Sequence, residues 1–136
     1  MEDRIHLQIV TAGGTVFDKM VNYVSIPLID GDAGILANHA TMLASLREGV
    51  SKAKYADGEE FIAMSGGVVS VADNEVTVLV RTAELAENID IARAQASEKR
   101  ARSRMEDKTH NYDMKRAELS LARSLARQKA YASIKG

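Results

Sequence analysis

The residues most able to do chemistry in this chain are arginines set at helical intervals near its carboxyl end. Arg93 and Arg100 stand seven apart and Arg123 and Arg127 four apart, so each pair falls on one helix face, with Asp90 three residues before Arg93. If the two helical stretches fold back on each other, guanidinium groups from both converge. Like charges brought together are unfavourable unless an anion lies between them, and the guanidinium fork fits phosphate oxygens in pairs. Three readings therefore stand side by side: an exposed basic face that serves solubility, a phosphate site, and a nucleic-acid surface. The third is disfavoured because Tyr112 and Tyr131 are the only aromatic residues after position 88 that could stack on bases.

Elsewhere the sequence supplies no catalytic constellation. The run Gly13-Gly14-Thr15-Val16-Phe17-Asp18-Lys19 is only superficially like a phosphate loop, because Asp18 stands at the second glycine and neither Ser nor Thr follows Lys19. Ser65-Gly66-Gly67 lacks the preceding glycine of a nucleophile elbow and reads as a tight turn between strands. The carboxylate pairs Glu59-Glu60 and Asp30/Asp32 are expected in solvated turns. His6, His39 and His110 are too scattered to suggest a metal cluster, and with no cysteine there is neither a disulfide nor a thiolate site. No metal and no required cofactor are expected.

The elements that must position the arginines differ sharply in pattern. Residues 1–88 hold 6 Lys/Arg against 13 Asp/Glu, whereas residues 89–136 hold 12 against 6, so the net charge of −1 conceals two opposed halves. In the first half Ile5, Leu7 and Ile9 alternate with His6, Gln8 and Val10. Val21, Tyr23 and Ser25 continue the period of two after Gly13-Gly14, and Val76, Val78 and Val80 repeat it. Turn signals at Asp30-Gly31, Asp57-Gly58, Gly66-Gly67 and Asp73-Asn74 are close enough for successive hairpins, which predicts a sandwich or flattened barrel. The second half has no proline and no glycine before its last residue. Its alanines and long charged residues predict a helix capped by Asn88, a turn at Lys108–Asn111, and a second helix from about Asp113 to Ser133. So short a connection predicts an antiparallel hairpin. Its large apolar residues are few, namely Ile91, Met105, Met114, Leu119, Leu121, Leu125 and Ile134, so a hairpin of marginal stability that detaches or extends is expected.

The whole is an α+β chain, with a β domain in residues 1–86 and a helical domain in residues 87–136. At 136 residues and 46 % hydrophobic content it suits one core with an appendage. No run is long or apolar enough to cross a membrane, and Met1-Glu2-Asp3-Arg4 does not begin a signal peptide, so a cytosolic location is the simplest reading.

Three stretches together resemble the epsilon subunit of bacterial F-type ATP synthases. Gly31-Asp32-Ala33-Gly34-Ile35-Leu36-Ala37-Asn38-His39 is similar to that family's glycine-rich turn before Ile-Leu-Pro and a histidine, with Ala37 in place of the proline. Phe61-Ile62-Ala63-Met64-Ser65-Gly66-Gly67 resembles its Ile-Ala-x-Ser-Gly-Gly strand and turn. Ile89-Asp90-Ile91-Ala92-Arg93-Ala94 fits the Ile/Leu-Asp-x-x-Arg-Ala segment that binds ATP in some members. The resemblance implies an antiparallel sandwich of about ten strands followed by the helical hairpin. It further implies a noncatalytic rotor subunit of a proton- or sodium-translocating complex, peripheral on the cytoplasmic face of the bacterial plasma membrane.

In that picture the sandwich meets the gamma subunit, and a loop carrying Gly31, Asp32, Gly34, Ile35 and His39 meets the membrane rotor ring. Lys115, Arg116, Arg123 and Arg127 of the extended hairpin contact acidic segments of the alpha and beta subunits and block ATP hydrolysis. In the folded-down hairpin, regulatory ATP is implied at Glu84, Ile89, Asp90, Arg93, Ala94, Arg100, Arg123 and Arg127, without turnover. A structural coupling subunit that senses no nucleotide is the alternative. Nucleic acid is not among the implied partners.

Overall fold

A computed structural model describes residues 4–107 and 113–135. Ten strands come first: β1 (Ile5–Thr11), β2 (Gly14–Val21), β3 (Tyr23–Leu28), β4 (Gly31–Ile35), β5 (Met42–Leu46), β6 (Gly49–Tyr55), β7 (Gly58–Met64), β8 (Gly67–Ala72), β9 (Glu75–Val80) and β10 (Ala83–Leu85). A 3-10 turn at Ala86–Asn88 leads to helices α1 (Ile91–Glu106) and α2 (Met114–Lys135). The alternation read from the sequence is the burial pattern of β1 and β9: Ile5, Leu7, Ile9, Val76, Val78 and Val80 face inward. With Val24, Ile26, Ile35, Ile62, Val69 and Val71 they form one core, each large side chain contributing about 1.5–3 kcal/mol by leaving water.

Two features depart from the expected antiparallel sandwich of simple alternation. Val21 is buried, but Tyr23 and Ser25 are only half-buried while Val24 and Ile26 point into the core, so the phase slips by one at Asn22 between β2 and β3. The ladder runs β10-β7-β6-β3-β5-β8-β9-β1-β2, with β4 paired to β3, and all its pairs are antiparallel except β1 with β9. That parallel pair, His6 opposite Glu75 through Val10 opposite Leu79, arises because the amino-terminal strand is inserted between β2 and a strand reached seventy residues later. The two ends of the ladder are drawn together where Lys19 of β2 pairs with Glu60 of β7 at 3.1 Å, and Tyr55 donates to the same carboxylate at 3.1 Å. Glu59 and Glu60 therefore lie in a strand rather than in a turn, and Glu59 pairs with Lys52 at 3.4 Å. The loop-like Gly13–Lys19 run is a hairpin turn entering β2.

His6 is held across three strands. Its Nε2 lies 2.5 Å from Asp18 on β2 and its Nδ1 2.8 Å from Glu75 on β9, which raises the imidazole pKa, chiefly through the Asp18 hydrogen bond and next through that to Glu75. Because the folded value lies above the ordinary one, this contribution is complete below about pH 6.5 and is lost as pH rises through the raised value. The thermal stability of the wild type is expected to fall from pH 6 to pH 9, and His6→Gln is expected to flatten that slope. An equal slope in the variant would remove His6 as its cause.

Asp90, not Asn88, caps α1: its Oδ1 accepts from the Arg93 backbone N–H at 3.1 Å, while Asn88 closes the preceding 3-10 turn. Asp113 does the same for α2, accepting from Arg116 N–H at 3.2 Å. The expected turn at Lys108–Asn111 lies outside the described residues. Late α1 meets early α2 and Glu98 meets Gln128, so the helices run antiparallel. The buried residues of the two helices are small, Ala94, Ala101, Ala117, Ser124, Ala126 and Ala130, whereas Met114, Leu119, Leu125 and Ile134 are exposed. α2 rests on β6, β7 and the 3-10 turn, where Ala130 packs against Ala63, Ala86 and Ile89.

Candidate functional site

Between the hairpin and the sandwich lies a cavity of about 250 Å³, walled by Ala63, Met64, Ser65, Thr82 and Glu84 from the sandwich and Ser97, Ser120, Arg123, Ser124, Ala126 and Arg127 from the helices. The local sequence explains why it is open. Alanine and serine on the facing helix surfaces let the helices approach without filling the space beneath, while each arginine reaches in from the side. A second hollow of about 350 Å³, lined by Ser65, Arg81, Thr82, Arg116, Leu119 and Arg123, adjoins it through the shared Ser65, Thr82 and Arg123.

Charge in the cavity is asymmetric. Arg127 is anchored: its Nε lies 2.6 Å from Glu84 Oε1, and its Nη2 donates to Glu84 Oε2 at 3.4 Å. Arg123, one helical turn away, forms no ion pair with a described residue, and the same holds for Arg81 and Arg116. One neutralised and one free guanidinium, ringed by five hydroxyls, can receive an anion through charge-assisted hydrogen bonds. The two helices are tied by Glu98, which accepts from Gln128 of α2 and from Arg102, each at 2.8 Å; the Gln128 bond, then the Arg102 bond, holds its pKa below the carboxylate norm.

Of the residues implied for ATP, the structure brings Glu84, Arg123 and Arg127 together in the cavity wall. Ile89 and Ala94 are buried and do not line the cavity, and Asp90 is occupied as the α1 cap. Arg93 and Arg100 are exposed and do not line the cavity, although Arg100 donates to Ser97, which does, at 3.0 Å. The serines and threonine were missed in the sequence; Ser120 and Ser124, four apart and out of step with Arg123 and Arg127 by three, were the available signal.

The loop read as a ring contact is divided. Gly31 takes a φ of 133°, and Gly34 lies against the Tyr23 ring, where an added Cβ would come 2.9 Å from Cε2. Asp32 pairs with Arg47, and His39 Nδ1 lies 2.7 Å from the Ala40 carbonyl. Ile35 is a fully buried core residue, which withdraws it from the outward set; Leu36, next in the chain, and Ile29, in the turn at the opposite end of the β3–β4 hairpin, are exposed. On α2, Lys115 and Arg116 are exposed, whereas Arg123 and Arg127 are half-buried toward the cavity, so the four basic residues do not form one outward surface in this arrangement.

Comparison with known proteins gives two family matches in series. Residues 4–86 match the ATP synthase delta/epsilon chain β-sandwich domain, and residues 87–131 match the long α-helix domain of the same chain. The ATP synthase epsilon chain of Symbiobacterium thermophilum is 43 % identical over 125 residues, covering 91 % of this chain and 90 % of that one. The epsilon chain of Halalkalibacterium halodurans is 39 % identical over 124 residues, covering 90 % and 93 %. A chain in the cryo-EM structure of the Euglena gracilis mitochondrial ATP synthase OSCP/F1/c-ring assembly shares the fold with a TM-score of 0.82 at 21 % identity, covering 94 % of this chain and 81 % of that one. With both domains matched in order and close relatives aligned almost end to end, the chain belongs to the ATP synthase delta/epsilon chain family, as a non-catalytic epsilon subunit of that complex.

Proposed function

We propose that this subunit works in the central stalk, joining the catalytic head to the membrane rotor ring, and that its hairpin is a nucleotide-responsive arm. The β domain of residues 1–86 lies against the gamma subunit, and the loop around Gly31–His39 meets the ring through its exposed Leu36. Released from the sandwich, the helical domain of residues 87–136 extends toward the alpha and beta subunits. There Lys115, Arg116, Arg123 and Arg127 meet acidic surfaces and restrain ATP hydrolysis. The complex is proton- or sodium-translocating in this reading, with the subunit peripheral on its cytoplasmic face; among the described residues no helix is long and apolar enough to cross a membrane.

The observation that carries the regulatory part is the free Arg123 beside the Glu84-anchored Arg127 in a hydroxyl-lined cavity that exists only while the hairpin is docked. A phosphate chain bound there stabilises the docked form by its differential affinity for that state. Calorimetric titration of the intact chain with ATP, with GTP as control, is expected to give saturable binding. Arg123→Ala is expected to weaken it on the order of ten- to a hundredfold through loss of a charge-assisted contact. Asp90→Ala should weaken it too, by fraying the α1 end that supports Ser97. No heat from the intact chain would leave a coupling subunit whose tail senses no nucleotide, a reading that the outward Arg93 and Arg100 favour.

A further inference from the structure

One acidic group beneath α2 has no place in the scheme above. Glu48, in the turn between β5 and β6, accepts at Oε1 from the backbone N–H of Gly66 at 3.2 Å, while its Oε2 is buried with no hydrogen-bond partner. The Gly66 turn is the one that carries Ser65 into the cavity. Glu48 itself lies in a recess roofed by Ala122, Leu125, Ala126 and Lys129 of α2 and floored by Pro27 and Val50. The hairpin thus closes over a carboxylate with one oxygen unsatisfied, an arrangement costly for a charge and mild for a neutral acid. Burial is accordingly the main influence on its pKa and pushes it up. The Gly66 hydrogen bond and then the charges of Arg123 and Arg81 pull against that.

We propose that docking of the hairpin draws a proton onto Glu48, making closure of the cavity, and anion binding within it, favoured as pH falls. The charged groups around it are Arg123 and Lys129 on α2, Arg81 after β9, and the Arg47–Asp32 pair on the Pro27 side. When the hairpin leaves, Glu48 regains water and loses Arg123; Gly66 and Arg81 stay with the sandwich. The docked carboxyl therefore has the higher pKa, so docking is strongest at acid pH. It weakens as pH rises from the ordinary carboxylate value through the raised one, and is level above that. Anion binding extends the effect. A phosphate that neutralises Arg123 removes one of the charges holding Glu48 ionised, so binding should also take up protons. The inference rests on the proposed release of the hairpin.

The chain has no cysteine, so Ala56→Cys and Ala132→Cys, both exposed, place a single distance-reporting probe pair across the sandwich and α2. The full chain is followed by probe separation from pH 4.5 to pH 8.5 without nucleotide, alongside Glu48→Gln, which keeps an acceptor for Gly66, and Glu48→Asp, which keeps the charge. The docked fraction should fall with pH in the parent and in Glu48→Asp. In Glu48→Gln it should be level and higher at neutral pH, with the docked-to-free ratio raised on the order of tenfold. A parent and Glu48→Gln with the same pH response overturn the proposal while leaving hairpin release intact. Probes that stay together at every pH, in acid and in mild denaturant alike, overturn hairpin release as well. In a second arm, ATP calorimetry in buffers of different ionisation enthalpy should reveal proton uptake by the parent and none by Glu48→Gln.

Discussion

Gly67→Ala is expected to destabilise the sandwich by about 3 kcal/mol or more, lowering its melting temperature by roughly 12 °C or more. A Cβ at Gly67 would stand 2.0 Å from the carbonyl oxygen of Leu79 and 2.9 Å from Cα of Val80. Both atoms belong to the backbone of β9, which pairs with β8 at that position while β5 pairs on the other side, so no side chain can swing away to make room. Relief requires β8 and β9 to separate at the start of their ladder, beside the buried Val69, Val78 and Val80. Against a typical total stability of 5–15 kcal/mol that loss is severe. Gly58→Ala is the matched control, since its nearest neighbour is a Tyr55 ring carbon at 3.9 Å. Melting curves that coincide for the two variants would show that β8 and β9 part easily at this end.

A different outcome is expected from Ala130→Leu. Ala130 is 0 % exposed and packs against Ala63, Ala86 and Ile89, which makes it the point where α2 is seated on the sandwich. Three added carbons have nowhere to go, and overpacking of this kind costs about 1–3 kcal/mol. The strain is relieved by lifting α2 away, because the sandwich core does not include this contact. The docked-to-free ratio should fall on the order of ten- to a hundredfold. Hydrogen exchange should report lost protection in α2 with β7 still protected, and Ala132→Leu on the exposed side should change neither. Loss of protection in β7 at the same time would mean that hairpin and sandwich unfold as one unit.

Both variants touch features that differ in how far the sequence reveals them. The inward faces of β1 and β9 were readable because a half-buried strand writes its burial as alternation, as Ile5-His6-Leu7 does. Which strand lies beside which is not written there. Nothing local to Ile5–Thr11 announces a parallel neighbour at Glu75–Val80. The slip at Asn22 was hidden because Val21 and Val24 are both apolar and either phase reads as a strand. Asn88 and Asp90 are both good caps; the choice fell to Asp90 because the 3-10 turn swings Ile89 inward against Ala63. At the site, arginine spacing pointed to an anion, and Arg123 and Arg127 do share a cavity. Arg93 and Arg100 do not join them, since helical spacing fixes a face but not which face is turned inward. Glu48 was invisible for the opposite reason: beside Arg47 in a turn it reads as an ordinary surface charge, and only the helix that covers it makes it unusual.

The parallel pairing of β1 with β9 also governs how the chain comes to be made. Strand β1 is synthesised first, finds β2 at once, and then presents its other edge to nothing until Glu75–Val80 has been added. Contacts spanning so much chain are closed late and slowly. Throughout that interval the nascent protein carries an unpaired edge backed by Ile5, Leu7 and Ile9, the kind of surface that recruits a neighbouring chain. A product cut short anywhere before Glu75 should therefore be prone to aggregate, and the subunit depends on its last long strand to seal its first.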